Sequence, residues 1–321
     1  MLIFGNNWTS ALHLSSIIRV NFSHIRYIIF PCLEYRHVTC EKNITGVTSW
    51  SPPSVTHVIP GDTGVYAVTS LDESVYVVRD RKKEVEVYDA ATLKLERHLS
   101  VPGISQDASG IAACPRNKCL YLSDWNDPSI HRVDLATDAA KKWPVAKSPH
   151  GLSVNGDHNL LVPCLEASIL QEYTTDGHLV REISLAANVG SPWHAIQLST
   201  GDYVVSHCIL SGKVSVVGVD GRLLRSYKPS SSSDVGPMKD PRSLAVTKQD
   251  DILVADRGNN RILAINSSLT RVKLIPIPSD IELLEPLALY LDETRDRLYI
   301  GEKGGQHGVV VMLHTEQFEL H

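Results

Sequence analysis

Cysteine and histidine are the residues of this chain best suited to bind a metal or to act in catalysis. The six cysteines are Cys32, Cys40, Cys114, Cys119, Cys164 and Cys208. Cys114 and Cys119 flank a short turn between two predicted strands, which leaves a disulfide or half of a metal site open there. A structural zinc ion needs four ligands, and no second Cys/His pair at zinc-finger spacing accompanies them. We therefore predict unpaired, packed cysteines, no metal and no cofactor.

Common catalytic motifs do not occur in the sequence. It contains no Gly-x-Ser-x-Gly elbow, no Walker-type phosphate loop and no dinucleotide-binding fingerprint after a predicted strand. The glycine-rich stretch 301–305 lies between two predicted strands rather than before a helix, so it does not predict a phosphate-binding loop. From these absences we predict that the chain is not an enzyme, and we assign it no catalytic residue.

The densest basic cluster of the chain is the run Arg79-Asp80-Arg81-Lys82-Lys83. Two interpretations stay open: a solvated turn, or an anion-binding patch that meets phosphate or an acidic partner. The net charge of −5 argues mildly against a chain coated in nucleic acid, but it does not bear on a local patch. Trp125 and Trp193 could add surfaces on which bases stack.

A repeat of about 45 residues carries these side chains. A loose Pro-x-x-aliphatic pattern opens at Pro149, Pro192, Pro241 and Pro286, and a Leu-Tyr-Val-type run follows each time. The equivalent positions of six units are Tyr66, Ile111, Leu152, Ala195, Leu244 and Leu289. This period is typical of four-stranded propeller blades. The sequence therefore predicts an all-β fold, a six-bladed β-propeller of four-stranded antiparallel blades over residues 55–321.

The first 54 residues do not join the repeat, and we interpret them as an atypical or poorly ordered leader. Their apolar stretch is broken by Arg19, His24 and Arg26, so it predicts neither a membrane-spanning helix nor a secretory signal. We expect that Met1 is not the natural start of the protein. Sequons at Asn7, Asn21, Asn43 and Asn266 leave an extracellular location open, while the predicted location is cytoplasmic.

Antiparallel blades place two kinds of loop on one face of a propeller. The loop that enters the inner strand and the loop between the second and third strands emerge together, and we call this surface the entry face. Loops on a rigid scaffold usually carry binding residues, so we predict binding here. Trp193 has a second interpretation, as a plug of the central channel. The predicted binding residues are Arg79, Arg81, Lys82, Lys83, Trp125, His150, Trp193, Arg242, Arg257, Asn259 and Lys303.

The fifth unit carries a family resemblance. The segment 252–262, ILVADRGNNRI, resembles the signature of NHL-repeat propellers, and segment 120–125, LYLSDW, resembles the related YWTD-type blades. The third unit has Pro163 in place of the signature Asp. The resemblance covers residues 55–321 and extends to the C-terminal propellers of TRIM-NHL proteins. It implies a module that recognises substrate proteins of a ubiquitin ligase, or RNA.

Some NHL-like propellers are lyases that hold zinc through histidines entering the channel, so the resemblance also raises a metal-dependent alternative. His150 stands in the matching Pro-His-Gly-Leu context, but the equivalent residues of the next blades are Trp193, Arg242 and Leu287. His194 is one position further on, and alternation predicts that it points to the other face of its sheet. A propeller lyase or hydrolase therefore stays an alternative only.

These arguments predict a non-enzymatic recognition scaffold that binds a protein partner through the entry face. Single-stranded RNA binding by the basic loops is the first alternative. We further predict a monomeric propeller without a membrane span. A strand near Val55–Ile59 is expected to close the ring by pairing with the sixth blade, which removes an exposed strand edge.

Overall fold

The computed structural model describes residues 55–106, 108–208, 212–229, 235–304 and 308–313. Within these ranges the chain forms six sheets, each of four antiparallel strands. Two single-turn 3-10 segments, Ala187–Val189 and Arg257–Asn259, are the helical elements of this described part. None of the helical segments there is long or apolar enough to cross a membrane. The six-bladed propeller predicted from the repeat is therefore confirmed, whereas the boundary after residue 54 lies outside the described residues.

The strands follow one another around the ring in chain order, from the inner to the outer strand of each blade. Strand β1 is Val55–Ile59. Blade 1 consists of β2 (Val65–Leu71), β3 (Ser74–Arg79), β4 (Glu84–Asp89) and β5 (Leu95–Ser100). Blade 2 consists of β6 (Ala108–Cys114), β7 (Cys119–Asp124), β8 (Ser129–Asp134) and β9 (Ala140–Pro144). Blade 3 consists of β10 (Ser153–Val154), β11 (Leu160–Cys164), β12 (Ile169–Tyr173) and β13 (Leu179–Ser184).

The second half of the ring repeats this arrangement. Blade 4 consists of β14 (Pro192–Gln197), β15 (Tyr203–Cys208), β16 (Gly212–Val217) and β17 (Leu223–Ser226). Blade 5 consists of β18 (Pro241–Val246), β19 (Ile252–Asp256), β20 (Arg261–Ile265) and β21 (Val272–Leu274). Blade 6 consists of β22 (Pro286–Asp292), β23 (Arg297–Glu302) and β24 (Val309–Leu313), with β1 as its outer strand.

Pairing of β1 with β24 closes the ring, as predicted. The two strands run antiparallel, with Val58 opposite Val310 and Ile59 opposite Val309. The chain thus supplies the outer strand of its last blade before it builds the first blade. This removes the free edge that β24 would otherwise present.

Apolar side chains bind the blades together. The second and third strands are rich in Val, Ile and Leu and are buried on both faces, as expected for sheets stacked face to face. Each of the six apolar clusters in the described ranges lies between two neighbouring blades. Each fully buried aliphatic side chain contributes about 1.5–3 kcal/mol relative to an exposed one. The ring is therefore stabilised by blade-to-blade packing around its whole circumference.

Serine hydroxyls join blades 2, 3 and 4 to the next blade along the chain. Ser109 Oγ donates a hydrogen bond to the Pro149 carbonyl of blade 3 at 3.1 Å. In the same way Ser153 Oγ donates to the Ala195 carbonyl of blade 4 at 2.7 Å, and Ser206 Oγ donates to the Arg242 carbonyl of blade 5. These bonds satisfy carbonyls that no neighbouring strand reaches, because the inner strand faces the channel. They also fix the inner strands that carry the candidate site.

Candidate functional site

The predicted binding residues lie at one end of the blades, on the entry face. In each blade the loop before the inner strand and the loop between the second and third strands lie at the same end of the sheet, because the strands are antiparallel. Trp125 and Asn259 lie in or beside second-to-third loops, and His150, Trp193 and Arg242 lie at the starts of three consecutive inner strands. The structure therefore brings the last three together and leaves Trp125 apart, on another blade.

His150, Trp193 and Arg242 form one layered stack. The imidazole of His150 lies 4.0 Å from the indole of Trp193, with an angle of 19° between the planes. The guanidinium carbon of Arg242 lies 3.9 Å from the Trp193 ring centroid. Two groups this close to one ring cannot share a face, so they cover opposite faces of the indole. Trp193 consequently has no free face on which a base could stack.

Ion pairs continue this stack across blades 5 and 6. Arg242 Nε lies 2.8 Å from an Asp240 carboxylate oxygen. Arg257 contacts the other Asp240 oxygen at 3.3 Å and a Glu285 oxygen at 3.2 Å. Asp240 and Glu285 were missed in the sequence, although each closely precedes an inner strand and therefore lies in an entry loop. They balance the arginines, so this part of the face is mixed in charge rather than basic.

A cavity of about 280 Å³ occupies the central channel. Tyr66, Trp193 and Leu287, at the start of three inner strands, line it together with small and apolar residues further along those strands. Trp193 thus lines the channel without filling it. Lys303 lies on the same side, with its Nζ 5.6 Å from the Tyr66 ring centroid. The contact between Lys303 and Tyr66 could not be predicted from the sequence, because the two residues are far apart in the chain and only closure of the ring brings them together.

The basic run of blade 1 divides between the interior and the surface. Arg79 is 1% exposed, and its Nε lies 2.5 Å from a Glu86 oxygen. Its other nitrogens donate to the carbonyls of Pro60 and Thr63 at 3.1 Å. Lys82 pairs with Asp62 at 3.0 Å. Arg81 and Lys83 are exposed. The run therefore carries less positive charge on the surface than the sequence predicted, because Arg79 points inward.

Three histidines of blades 3 and 4 are held in the neutral form. Burial and the nearby Arg242 charge lower the pKa of His150 to about 3. Burial also lowers the pKa of His194 and of His207 to about 4. His194 Nδ1 accepts the Leu244 amide at 2.9 Å, and its Nε2 donates to the Leu152 carbonyl at 3.1 Å. His194 is thus a bridge between blades 3 and 5, and it also lines the central channel. The strand register shifts between Pro192 and His194, so simple alternation does not decide its direction.

His150 has unused hydrogen-bonding capacity at the mouth of the channel. Its Nδ1 is buried and has no hydrogen-bond partner among the described residues. Within the described ranges, no three His, Cys, Asp or Glu side chains lie close enough together to hold a metal ion. A neutral imidazole can take or give a proton, or donate to a bound ligand, without a metal.

The remaining predicted site residues serve the structure of the loops. Asn259 Nδ2 donates to Asp256 at 2.7 Å and to the Pro237 carbonyl at 3.1 Å. Asp256 ends β19 and accepts the amides of Lys239 and Asp240 at 3.0 and 3.3 Å. The position that matches Asp256 in blade 3 is Cys164 rather than Pro163, because Cys164 bridges Pro149 as Asp256 pairs with Pro241. The alignment predicted for that unit is therefore corrected by one residue.

The described cysteines carry no disulfide. Cys114 and Cys119 lie opposite each other in the β6–β7 hairpin, and both are buried and free. Cys164 is buried and Cys208 is exposed, and both are free as well. Asn266, the one sequon residue in the described ranges, accepts the amides of Thr270 and Arg271 at 2.9 Å. The other two cysteines and the other three sequons lie outside the described residues.

Comparison with known proteins supports the fold from two directions. The NHL repeat model matches residues 238–265, which lie in blade 5 and the loop before it. No curated protein matches the sequence. The propeller thus contains an NHL repeat, and the closer likeness to TRIM-NHL proteins is not confirmed.

Solved structures with the same fold include enzymes. Hydrazine synthase from Kuenenia stuttgartiensis is 14% identical, with a TM-score of 0.59 over 80% of this chain and 97% of that one. Virginiamycin B lyase from Staphylococcus aureus is 13% identical, with a TM-score of 0.59 over 81% and 98% of the two chains. A catalytically inactive histidine-to-alanine variant of that lyase, with quinupristin, is 12% identical, with a TM-score of 0.60 over 82% and 99%. At such identities the likeness is one of fold.

The prediction that the chain is not an enzyme is therefore wrong. It rested on missing sequence motifs, yet structures that share this propeller over nearly their whole length are enzymes. The physical reason is that a propeller site is assembled from single residues on different blades, about 45 positions apart in the chain. Contiguous motifs are not expected for such a site, so their absence does not exclude activity.

Proposed function

We propose that the entry face binds a protein partner, with Trp125 as its apolar anchor. Trp125 is 43% exposed in the loop between β7 and β8. Tryptophan is the residue most enriched among energetic hot spots of protein interfaces, because its burial removes a large apolar surface from water. This exposed indole on the entry face is the observation that carries the proposal.

The position of Trp125 sets it apart from other exposed apolar side chains. The others in the described ranges lie on outer strands or on the β16–β17 turn; they are Leu95, Leu179, Val180, Val219, Leu224 and Leu274. Scattered apolar residues on outer strands are ordinary in soluble proteins. An indole in a loop of the functional face is better explained by a partner that covers it.

Photo-crosslinking tests this proposal with a matched pair of positions. A photoreactive phenylalanine analogue replaces Trp125 in one variant and Val219 in the other, which is 55% exposed on the β16–β17 turn at the opposite end of its blade. In extract from the native source we expect discrete protein adducts from position 125 and none of the same species from position 219. Identical adducts from both positions, or none from 125, would overturn the proposal.

Support for RNA as the partner is weaker. Arg79 is turned inward, Lys82 is paired with Asp62, and both faces of Trp193 are covered. Arg81 and Lys83 remain as exposed cations. That the protein partner is the substrate of a ubiquitin ligase stays a prediction, which only the resemblance to TRIM-NHL propellers supports.

A second candidate function is lyase-type catalysis at the channel mouth. The observation that favours it is His150, a neutral imidazole whose buried Nδ1 has no hydrogen-bond partner among the described residues, with Arg242 on the other face of the Trp193 indole. A base whose pKa is about 3 is weak at neutral pH. An anionic substrate group beside Arg242 would offset the guanidinium charge and raise the pKa of His150 toward a useful value.

Conversion of cyclic peptides, including quinupristin, provides the test of this second candidate. We expect wild-type protein to convert at least one member of the panel, as followed by chromatography with mass detection. His150→Ala should abolish the conversion, while Trp125→Ala should leave it unchanged. Conversion that survives in His150→Ala would exclude His150 as the proton-transfer group.

A further inference from the structure

The channel below the entry face is lined without formal charge. Twenty-five residues line the cavity of about 280 Å³, and none of them is Asp, Glu, Lys or Arg. The one histidine among them, His194, is held neutral by its two backbone hydrogen bonds. The charged residues of the entry face lie at the mouth of the channel and do not line the cavity. An ion entering this lining would lose its hydration without gaining a counter-charge, which is strongly unfavourable.

Four hydroxyls of the lining are hydrogen-bond acceptors toward a ligand, because each donates its own hydrogen within the protein. Ser109, Ser153 and Ser243 each donate their hydroxyl hydrogen to a carbonyl of the next blade, at 3.1, 2.7 and 3.4 Å. Tyr290 likewise donates to the Ser70 carbonyl at 3.1 Å. A hydroxyl that has used its hydrogen keeps lone pairs that can accept. The lining therefore suits a ligand that brings its own N–H or O–H donor.

The volume and shape of the cavity further limit which ligands it can hold. A dry apolar cavity of about 150 Å³ holds benzene, so about 280 Å³ accommodates a molecule of one or two fused rings. Near the mouth the cavity is lined by the ring of Tyr66, the uncovered edge of the Trp193 indole and the apolar side chain of Leu287. The remaining lining is largely small aliphatic residues, which favour the same kind of molecule.

We propose that the channel is a binding site for an uncharged aromatic or heteroaromatic molecule with one hydrogen-bond donor. The site is independent of Trp125 and of the protein partner, since neither the indole nor its loop lines the cavity. It also differs from the site of the second candidate function, which uses His150 and Arg242 at the charged mouth. The molecule enters between Tyr66, Trp193 and Leu287 and donates its hydrogen bond to one of the four lining hydroxyls.

Four related probes test the charge and donor requirements on the wild-type protein. Indole is neutral and has one N–H donor, and indene has the same shape without the donor. Indole-3-acetate adds a negative charge and tryptamine a positive one. By calorimetry and ligand-observed NMR we expect indole to bind best. Indene should bind about threefold more weakly for want of one hydrogen bond, and both ions should bind at least about tenfold more weakly because the lining is uncharged.

A variant that fills the cavity tests whether indole binds there. Ser153→Phe places a ring in the cavity and should weaken indole binding at least about tenfold, as the loss of a site of this size implies. Ser184→Phe on the exposed outer strand of the same blade is the control and should bind as wild type does. Equal binding of the four probes, no binding of indole, or indole binding retained in a folded Ser153→Phe variant would each overturn the proposal. If Ser153→Phe does not fold, the four-probe series still decides it.

Discussion

Blades 1 and 5 perform the same structural task with opposite charges. In blade 5 the second strand ends at Asp256, which accepts two loop amides and pairs with Arg261 at 2.8 Å. In blade 1 the second strand ends at Arg79, which donates to two loop carbonyls and pairs with Glu86 at 2.5 Å. Both charges are buried, at 0% and 1% exposed. In these two blades the position holds a buried charge that closes the entry loop, and the loop decides whether that group donates or accepts.

This comparison explains why a signature aspartate is a poor guide to binding. Asp124 in blade 2 accepts the Ser105 amide at 2.7 Å, and Glu302 in blade 6 accepts the Leu284 amide. Each of these carboxylates is directed at the loop before its own inner strand. The residues are therefore required for the blade to close, and they are not available to a ligand.

The largest loss of stability is expected from replacement of Arg79, whose charge is opposite to that of Asp256, Asp124 and Glu302. Arg79→Ala leaves Glu86 and two loop carbonyls without their partner and should lower the free energy of unfolding by about 3–5 kcal/mol. Arg81→Ala, two residues away and exposed, should change it by less than about 0.5 kcal/mol. Equilibrium unfolding in urea measures both. Equal stabilities of the two variants would show that the buried charge of Arg79 is not needed.

Much of the architecture followed from the sequence because a repeat fixes it many times over. The inner, second and third strands of blade 5 and the closure by β1 were all expected and are present. These features depend on local patterns, which a single sequence contains.

The site was harder to predict because it depends on contacts between blades. Arg79 reads as the first member of a basic surface run, yet its burial depends on Gly61, where a Cβ would collide with the guanidinium. Asp240, Glu285 and Tyr66 come close to their partners only through the circular arrangement. The stack of His150 on Trp193 likewise joins residues more than 40 positions apart. No local pattern encodes such pairs.

Acid is expected to destabilise the propeller through His194, the neutral histidine that bridges blades 3 and 5. The folded pKa of His194 is about 4, against an ordinary value of 6.5 in the unfolded chain. The unfolded state therefore takes up the proton first, and the stability present above pH 6.5 is lost as the pH falls toward 4. The full difference amounts to about 3 kcal/mol. Unfolding curves between pH 7.5 and 4 should show a smaller loss for His194→Gln, and an identical loss would assign the effect to other groups.

A smaller effect is expected where a neutral hydroxyl joins two blades. Ser206 is fully buried, and its Oγ donates to the Arg242 carbonyl and accepts the His194 amide at 3.2 Å. Ser206→Ala leaves both groups unsatisfied and should cost about 1–3 kcal/mol. Ser100→Ala, on the exposed end of β5, is the matched control with little expected change. A Ser206→Ala variant as stable as the control would mean that the blades do not depend on this bond.

The smallest effect on stability is expected from the exposed part of the basic run, and this makes it the right place to test RNA. Arg81→Glu with Lys83→Glu should change the unfolding free energy by no more than about 0.5 kcal/mol, because neither side chain is buried. Arg79 must stay in place, since its loss would weaken the fold and imitate a loss of binding. If the entry face binds single-stranded RNA, this double reversal should weaken binding and flatten its dependence on salt, because counterion release scales with the number of phosphate contacts. Unchanged affinity and salt slope would remove the basic run from any binding surface and leave Trp125 as the residue on which recognition depends.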